Sequence, residues 1–327
     1  MTVQGMTAAR RVLCGFLLGC LAWGSAASSE RQFPDRDITF VVPWDVGGSN
    51  DLLARELQLL LREKGINLVI ENHPGATGAI GLRRVATAAP DGYTLGMGTS
   101  STLAFMAQGR TPLRNDQFTH IALVSTDALL LLVPESSPYR TLDDFLDHMR
   151  NNPGAVSIGT PGSFNLNHLF AVMTAHAANV AYIQISYNGG PAVVIDLLGG
   201  RIQASVSKPF DSIAQIKQHQ IRPLGVFANE RLALLPDVPT FREKGYDVFP
   251  FGPVVQMAYI VGPAGLPADV RDRLVSIFEG AIQDERFKSF AARNAFLVND
   301  LAADALTAEV DKVERSIKVV ADKFFRQ

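Results

Sequence analysis

Short apolar runs alternate with helical apolar stripes along most of the chain, and the first such pair is the clearest. Residues Thr39 to Val42 are β-branched or aromatic, which predicts a buried strand that ends at Pro43. From Leu52 to Lys64 a stripe of helical period follows, so this stretch predicts an amphipathic helix with Leu52, Leu53, Glu56, Leu57, Leu60 and Leu61 in the stripe.

The turn between this strand and this helix is rich in glycine and in residues that cap helices. Gly47 and Gly48 permit a tight backbone turn, and Ser49, Asn50 and Asp51 are favourable caps. Unpaired backbone N–H groups and the positive end of the helix dipole would then face one point, which suits a carboxylate or a phosphate. An ordinary strand-to-helix turn without a ligand is the alternative, and the local sequence leaves both open.

The same pattern continues as strand, helix and strand, at Asn67–Glu71, Ala79–Ala88 and Tyr93–Met97. A β-α-β-α-β order predicts a parallel sheet covered by helices. The loop Gly98–Thr102, which includes Ser100, follows the third strand. It should therefore lie at the same sheet edge as Trp44–Asp51.

A second lobe is predicted after the apolar segment Ile121–Val133, which Ser125-Thr126-Asp127 interrupts. Two further strand–turn–helix units follow, with helices over Leu166–Ala178 and Ala192–Leu198, and Leu224–Phe227 would be the return crossover. Helices over Ala268–Asp284 and Ala303–Phe325 close the chain. The predicted division is a first lobe of residues 28–125 and 229–327 and a second of 126–228. Glycine-rich turns from both lobes would face one cleft, an architecture for binding by domain closure.

The N-terminal residues have the layout of a secretory signal peptide. Arg10 and Arg11 precede the apolar run Val12–Trp23, and small residues follow up to Ala27. The apolar run is shorter than the roughly 20 residues of a membrane span, so residues 1–27 are predicted to be a cleaved leader. Leu17–Cys20 also resembles a lipoprotein processing site, but apolar residues continue beyond Cys20, which favours ordinary cleavage.

Charge and cysteine content narrow the class of protein. Cleavage after Ala27 removes two of the 30 Lys and Arg residues and none of the 32 Asp and Glu, which leaves a net charge of −4. That balance indicates neither nucleic acid nor an anionic membrane as a partner. Both cysteines, Cys14 and Cys20, lie in the leader, so the mature chain would contain no disulfide and no thiolate chemistry.

Six motifs, in order, resemble the periplasmic substrate-binding proteins of tripartite tricarboxylate transporters, also called Bug-type receptors. The resemblance runs from about Phe33 to the C-terminus. The motifs are Val41-Val42-Pro43-Trp44-Asp45-Val46-Gly47-Gly48-Ser49-Asn50-Asp51, Glu71-Asn72-His73-Pro74-Gly75-Ala76-Thr77-Gly78-Ala79-Ile80-Gly81, Pro90-Asp91-Gly92-Tyr93-Thr94-Leu95, Tyr187-Asn188-Gly189-Gly190, Leu197-Leu198-Gly199-Gly200 and Leu235-Pro236-Asp237-Val238-Pro239-Thr240.

This resemblance implies an α/β type II periplasmic binding protein, with two lobes, a cleft between them and two crossover hinges. Such a receptor closes on a small carboxylate or amino-acid ligand in the periplasm and delivers it to membrane transporter subunits. A monomer is expected, with no enzymatic activity, cofactor, metal or nucleic-acid partner. The implied ligand-binding residues are Trp44, Asp45, Gly47, Gly48, Ser49, Asp51, Ser100, Thr160, Gly162, Ser163, Asn165, Tyr187, Gly189 and Gly190.

Several of these residues have a second interpretation. Asp51 either contacts the ligand or caps the first helix turn, and Trp44 either covers the ligand or packs between the lobes. Asp45 departs from the family pattern, and a carboxylate at an anion site costs affinity unless it is paired. Asp45 would therefore select a ligand that also carries a cationic group.

Lys208 and His168 are two further basic side chains near the predicted turns. Lys208 is either a cation in the cleft or a solvated lysine, with the solvated lysine favoured. His168 and His176 are too far apart on one helix for a metal pair, and His168 is a minor candidate for ligand contact.

Three other functions compete with a transport receptor. Gly75-Ala76-Thr77-Gly78-Ala79-Ile80-Gly81 resembles the nucleotide loop of short-chain dehydrogenases, but it follows the second strand and no tyrosine has a lysine four residues later. A secreted hydrolase would need a nucleophile elbow, which Gly98–Thr102 does not complete. A sensory receptor for a membrane histidine kinase would share the whole architecture, so the sequence leaves it open.

Overall fold

The computed structural model describes residues 33–249 and 254–325. The predicted signal peptide, its cleavage site and the Cys20 processing site lie outside the described residues. In the described part, no helix combines the length and the apolar character needed to cross a membrane.

Ten strands and ten helices alternate along the described part of the chain. The strands are β1 (Ile38–Val42), β2 (Leu68–Asn72), β3 (Thr94–Thr99), β4 (Phe118–Asp127), β5 (Leu129–Pro134), β6 (Ser157–Pro161), β7 (Ile183–Tyr187), β8 (Ala204–Ser207), β9 (Ile221–Phe227) and β10 (Gln256–Pro263). The helices are α1 (Ser49–Arg62), α2 (Ala79–Ala86), α3 (Ser100–Ala107), α4 (Leu142–Asn151), α5 (Leu166–Ala178), α6 (Gly190–Leu198), α7 (Pro209–Lys217), α8 (Ala268–Ile282), α9 (Glu285–Asn294) and α10 (Ala303–Phe325).

The strands form two five-stranded sheets, each with parallel and antiparallel pairs. Sheet 1 has the order β2-β1-β3-β10-β4 and sheet 2 the order β7-β6-β8-β5-β9. The predicted parallel arrangement of the first three strands is confirmed, because β1 pairs in parallel with both β2 and β3. We call each sheet with the helices packed on it the first lobe and the second lobe.

The chain crosses between the sheets twice. Strand β4 in sheet 1 ends at Asp127 and β5 in sheet 2 begins at Leu129, so the first crossover is at Ala128, directly after the predicted break at residues 125–127. The second crossover runs from the end of β9 to the start of β10. The exact lobe boundaries given above remain a prediction.

Helix α1 shows how the apolar pattern becomes packing. Its inner face (Leu53, Ala54, Leu57, Leu60 and Leu61) is buried against the buried strand β1. Leu52 was predicted on that face, yet it is 38% exposed because it lies on the opposite side of the first turn. Helix α10 has the most regular stripe, with buried residues three and four positions apart from Leu306 to Ala321.

Candidate functional site

A small cavity lies where the two lobes touch, at the carboxyl ends of strands from both sheets. The first lobe contributes Trp44, Asp45, Gly48, Ser49, Asn50, Ser101 and Gln256, and the second contributes Pro161, Asn167, Gly189, Gly190, Lys208 and Asp211. The space inside it is about 30 Å³, which is room for one or two water molecules. A larger ligand can enter only when the lobes separate.

The predicted site residues divide into those that line this cavity and those that support it. Trp44, Asp45, Gly48, Ser49, Gly189 and Gly190 are in the lining. The others lie outside the lining: Gly47, Asp51, Ser100, Thr160, Gly162, Ser163, Asn165 and Tyr187. Contact of any of them with a ligand remains a prediction.

Asp51 supports the glycine turn from within the protein. Its carboxylate accepts hydrogen bonds from the Gly47 backbone N–H at 2.9 Å, from Arg55 Nε at 2.8 Å and from Asn72 Nδ2 at 3.0 Å, and the residue is 1% exposed. Burial alone would raise the pKa of Asp51, but the hydrogen bonds from Arg55, Gly47 and Asn72 outweigh it and hold the pKa below its ordinary value. The side chain therefore fixes the shape of the turn.

Asn165 and Tyr187 likewise bond to protein groups. The Asn165 side chain caps α5, because Oδ1 accepts the His168 N–H at 2.9 Å, while Nδ2 donates to the Pro161 carbonyl at 2.7 Å. The Tyr187 hydroxyl donates to Asp196 at 2.8 Å. Their roles in this structure are to shape the turns that end β6 and β7.

Contacts between the lobes continue beyond the cavity. Thr77 Oγ1 donates to the Ser163 carbonyl at 2.9 Å and accepts the Ser163 N–H at 3.3 Å. Gln108 Nε2 donates to the Phe164 carbonyl at 2.7 Å. At the other side, Pro191 Cδ lies 3.4 Å from the position that a Cβ on Gly48 would take. The lobes are therefore closed on each other around the cavity.

Lys208 is buried, so the favoured interpretation of it as a solvated lysine is wrong. It is 4% exposed, and Nζ lies 2.9 Å from Asp127 Oδ2, which also accepts the Ser125 hydroxyl at 3.0 Å. The contact is a close ion pair without well-aligned hydrogen-bond geometry, so the ammonium retains its donor capacity towards the cavity.

Asp211 is the main site residue that the sequence interpretation missed. It lies in the first turn of α7, and its Oδ1 accepts the Ser49 backbone N–H at 2.9 Å, across the lobe contact. Burial raises the pKa of Asp211, although the positive charge of Lys208 and the bond from Ser49 oppose that shift. The sequence contained a signal for the start of α7. Pro209 follows Lys208 at the first helical position, where proline marks a helix start, and Asp211 is an acid in the first turn.

Two further polar groups in the lining have no partner among the described residues. The Trp44 indole N–H is a donor on a side chain that is 6% exposed, and Asn50 Oδ1 is an acceptor on one that is 8% exposed. Buried polar groups normally find a hydrogen-bond partner, so these atoms are available for a ligand or an ordered water.

The histidines of α5 do not enter the cavity lining. His168 Nδ1 accepts the Phe164 N–H at 3.0 Å, and burial lowers the pKa of His168 to about 4, which keeps the ring neutral. His176 packs on Phe324. No group of acidic, histidine or cysteine side chains with the geometry of a metal site occurs in residues 33–249 or 254–325.

Two α/β lobes with paired crossovers and a cavity at their contact define the chain as a solute-binding protein of the periplasmic type. The profile of the tripartite tricarboxylate transporter receptor family, TctC, matches residues 53–323, and the chain belongs to that family. The resemblance that the motifs indicated is thereby confirmed. The family consists of receptors, which confirms the prediction of a binding protein rather than an enzyme.

Individual relatives share both sequence and fold with the chain. It is 30% identical over 315 residues to the UPF0065 protein in the tcbD-tcbE intergenic region of Pseudomonas sp. (strain P51), covering 94% of this chain and 93% of the relative. It is similar to MatC (Rpa3494) from Rhodopseudomonas palustris, solved with bound malate, with a TM-score of 0.82, 25% identity and coverage of 88% and 100%. It is also similar to the periplasmic binding protein BugD, with a TM-score of 0.79, 26% identity and coverage of 90% and 98%. These similarities confirm the predicted fold class.

Proposed function

We propose that the chain is a periplasmic receptor that captures a small carboxylate-containing solute by lobe closure and delivers it to a tripartite tricarboxylate-type membrane transporter. The predicted leader supports export, and family membership supports the transporter partnership. The malate bound to MatC supports a small carboxylic acid as the ligand class.

The observation that carries this proposal is the cavity at the lobe contact. Its walls include the buried ammonium of Lys208 from the second lobe and the unpartnered indole N–H of Trp44 from the first. Ammonium groups and N–H donors bind carboxylates in proteins. Because both lobes supply these groups, a ligand contacts them all only when the lobes close around it.

A thermal-shift screen of the chain without residues 1–27 tests the proposal. The ligands are succinate, malate, glutarate, aspartate, glutamate and benzoate, with NAD as a control for the dehydrogenase alternative. A ligand at 100 times its dissociation constant stabilises the folded state by about 2.7 kcal/mol, which raises Tm by a few degrees. A shift with a carboxylate supports the proposal, and a shift with NAD alone contradicts it.

Delivery to a transporter needs a separate experiment. Bacteria that express the permease subunits should take up the radiolabelled carboxylate that gives the largest thermal shift, and uptake should require this chain. Ligand binding without receptor-dependent uptake would contradict the transport role and favour the sensory receptor.

A further inference from the structure

The protein's own carboxylate lies at the site where a ligand carboxylate was predicted. Asp211 Oδ1 accepts the Ser49 N–H at the start of α1. A Cβ added to Gly190, the first residue of α6, would lie 2.4 Å from Asp211 Cγ, so the same carboxylate rests against the start of α6. Asp211 also lies in the first turn of its own helix. Three helix N-termini thus converge on one resident anion, which already satisfies the positive ends of their dipoles.

A second carboxylate lies beside the first. Asp45 lines the cavity and packs on Gly189, where an added Cβ would lie 3.2 Å from Asp45 Oδ2. Gly189 is the residue before Gly190, so Asp45 and Asp211 flank the same glycine pair. This acidic pair, Asp45 and Asp211, repels a further anion and favours a cation.

The same cavity also contains groups that attract an anion. Ser101 Oγ lies 3.2 Å from Gln256 Oε1 and 3.4 Å from Asn167 Oδ1, so these three side chains form one group. Gln256 pairs with Asp127 in sheet 1, and Asp127 holds the ammonium of Lys208. Ser101 and Asn167 are bonded within the protein, since Asn167 Nδ2 donates to the Val206 carbonyl at 3.0 Å. Lys208 and Gln256 therefore offer a buried cation and an amide to an anionic group.

We propose that the cavity is built for a zwitterion, with Asp211 and Asp45 binding a cationic nitrogen and Lys208 and Gln256 binding the adjacent carboxylate. The inference rests on the proposed function and assigns its ligand class: a carboxylic acid that bears an amine, as in an amino acid. Asp211 is then the residue that discriminates against acids without the amine. Burial raises the pKa of Asp211, and a ligand ammonium would oppose that shift in the same way as the positive charge of Lys208 does.

Calorimetric titration with three four-carbon diacids tests the proposal. Succinate, malate and aspartate share one carbon skeleton and carry hydrogen, hydroxyl or ammonium at the second carbon. The wild-type chain should bind aspartate at least about tenfold more tightly than succinate or malate, because only aspartate carries an ammonium group for the two carboxylates. Asp211→Asn keeps the shape and removes the charge, so the aspartate-to-succinate ratio of affinities should fall by about tenfold.

Asp45→Asn provides a second variant in which folding is less at risk, because Asp45 is partly exposed and its loop side chain has no hydrogen bond among the described residues. The aspartate-to-succinate ratio of affinities should fall in that variant too. Asp37→Asn is the matched control, because Asp37 is exposed and precedes β1, whereas the lining follows the other end of that strand. Its aspartate-to-succinate ratio of affinities should equal that of the wild type.

The outcomes separate this inference from the proposed function. Wild-type protein that binds the three diacids equally, or Asp211→Asn and Asp45→Asn variants that lose affinity for all three by the same factor, would overturn the zwitterion site and leave a carboxylate receptor. Wild-type protein that binds none of the three, nor glutarate or glutamate in the thermal-shift screen, would overturn the proposed function itself.

Discussion

At the scale of single residues, the turn between β1 and α1 is held by one buried carboxylate. Asp51 accepts hydrogen bonds from Gly47, Arg55 and Asn72, and each bond fixes a different segment of the chain. Gly47 has a φ of +79°, in the left-handed region. Glycine adopts positive and negative φ about equally, so the hydrogen bond to Asp51 is what holds this conformation. The carboxylate therefore presets the geometry of the cavity wall.

Asp51→Ala should lower the free energy of unfolding by about 3 kcal/mol, since it leaves buried donors without an acceptor. Urea denaturation monitored by circular dichroism measures the change. The exposed Asp37→Ala is the control, and it should stay within about 0.5 kcal/mol of the wild type. Equal stability of the two variants would show that Asp51 does not brace the turn.

His120 makes stability depend on pH. Burial lowers its pKa to about 4 although the negative charge of Asp311 opposes the shift, and its ring nitrogens contact Thr307 at 3.2 Å and Asn115 at 3.1 Å. The folded pKa lies below the unfolded value of 6.5, so the unfolded chain takes up the proton first as the pH falls. Stability is fully present above pH 6.5 and is lost as the pH falls towards 4, by about 2 kcal/mol at pH 5.

Urea denaturation at pH 7.5 and pH 5 checks this prediction in the wild type and in His120→Gln. The variant loses the titrating ring, so its stability should fall by about 2 kcal/mol less than that of the wild type between the two pH values. An identical fall in both proteins would assign the pH dependence to other groups.

At the scale of elements, the strength of the apolar stripe decided which helices were predictable. The predicted bounds of α5 and α10 match the structure. Helices α7 and α9 were not predicted. Helix α9 buries only Phe287 and Ala291, and α7 has only nine residues, among them Phe210, which packs on the opposite lobe. Neither forms the long one-sided stripe that identifies an amphipathic helix.

Phe210 makes α7 an element of both lobes. Its ring lies 5.3 Å from that of Phe290 and 5.6 Å from that of Phe296, both in the first lobe, whereas Ile216 packs in the core of the second. Each aromatic pair contributes about 0.5–1.5 kcal/mol beyond the burial of its apolar surface. Phe210→Leu should therefore destabilise the closed state and lower ligand affinity about tenfold.

Small-angle scattering and calorimetry test this role of Phe210. The Phe210→Leu variant should have a larger radius of gyration than the wild type without ligand. Ile216→Val changes the same helix on its own-lobe face, so it should keep the wild-type affinity. Equal affinities in the two variants would contradict the role of Phe210 in closure.

At the scale of the whole molecule, closure brings together loops that are more than a hundred residues apart in the chain. A Cβ on Gly189 would lie 2.9 Å from Asp45 Cβ, somewhat less than the 3.5–4.5 Å typical of a disulfide. The predicted mature chain lacks cysteine, so a double variant Asp45→Cys/Gly189→Cys adds the only two thiols.

This double variant should form an intramolecular disulfide after a small separation of the two loops, and the crosslinked protein should no longer admit ligand. Mass spectrometry after oxidation and thermal shift with the strongest ligand measure both effects. The two single variants are the controls and should stay uncrosslinked. A double variant that resists oxidation would show that these loops do not approach each other in solution.

The sequence by itself determined most of the elements and their order, with α7 and α9 as exceptions. Residues Thr39–Val42, the glycine turn and the leucine stripe of α1 specify their structure locally, because strand periodicity, turn residues and caps act over a few neighbours. The repeated strand–turn–helix pattern, with the six motifs, was enough to predict two lobes and the receptor family. It also placed six of the predicted site residues in the lining of the cavity.

Only the tertiary structure decided the charge of the cavity. Lys208 and Asp211 lie three residues apart in sequence and have no local pattern that says what they face. Burial pairs Lys208 with Asp127, and lobe closure brings Asp211 to Ser49, which is 162 residues away. Such partners are set by how the sheets pack, since the energy of a charge depends on its surroundings more than on its neighbours in the chain.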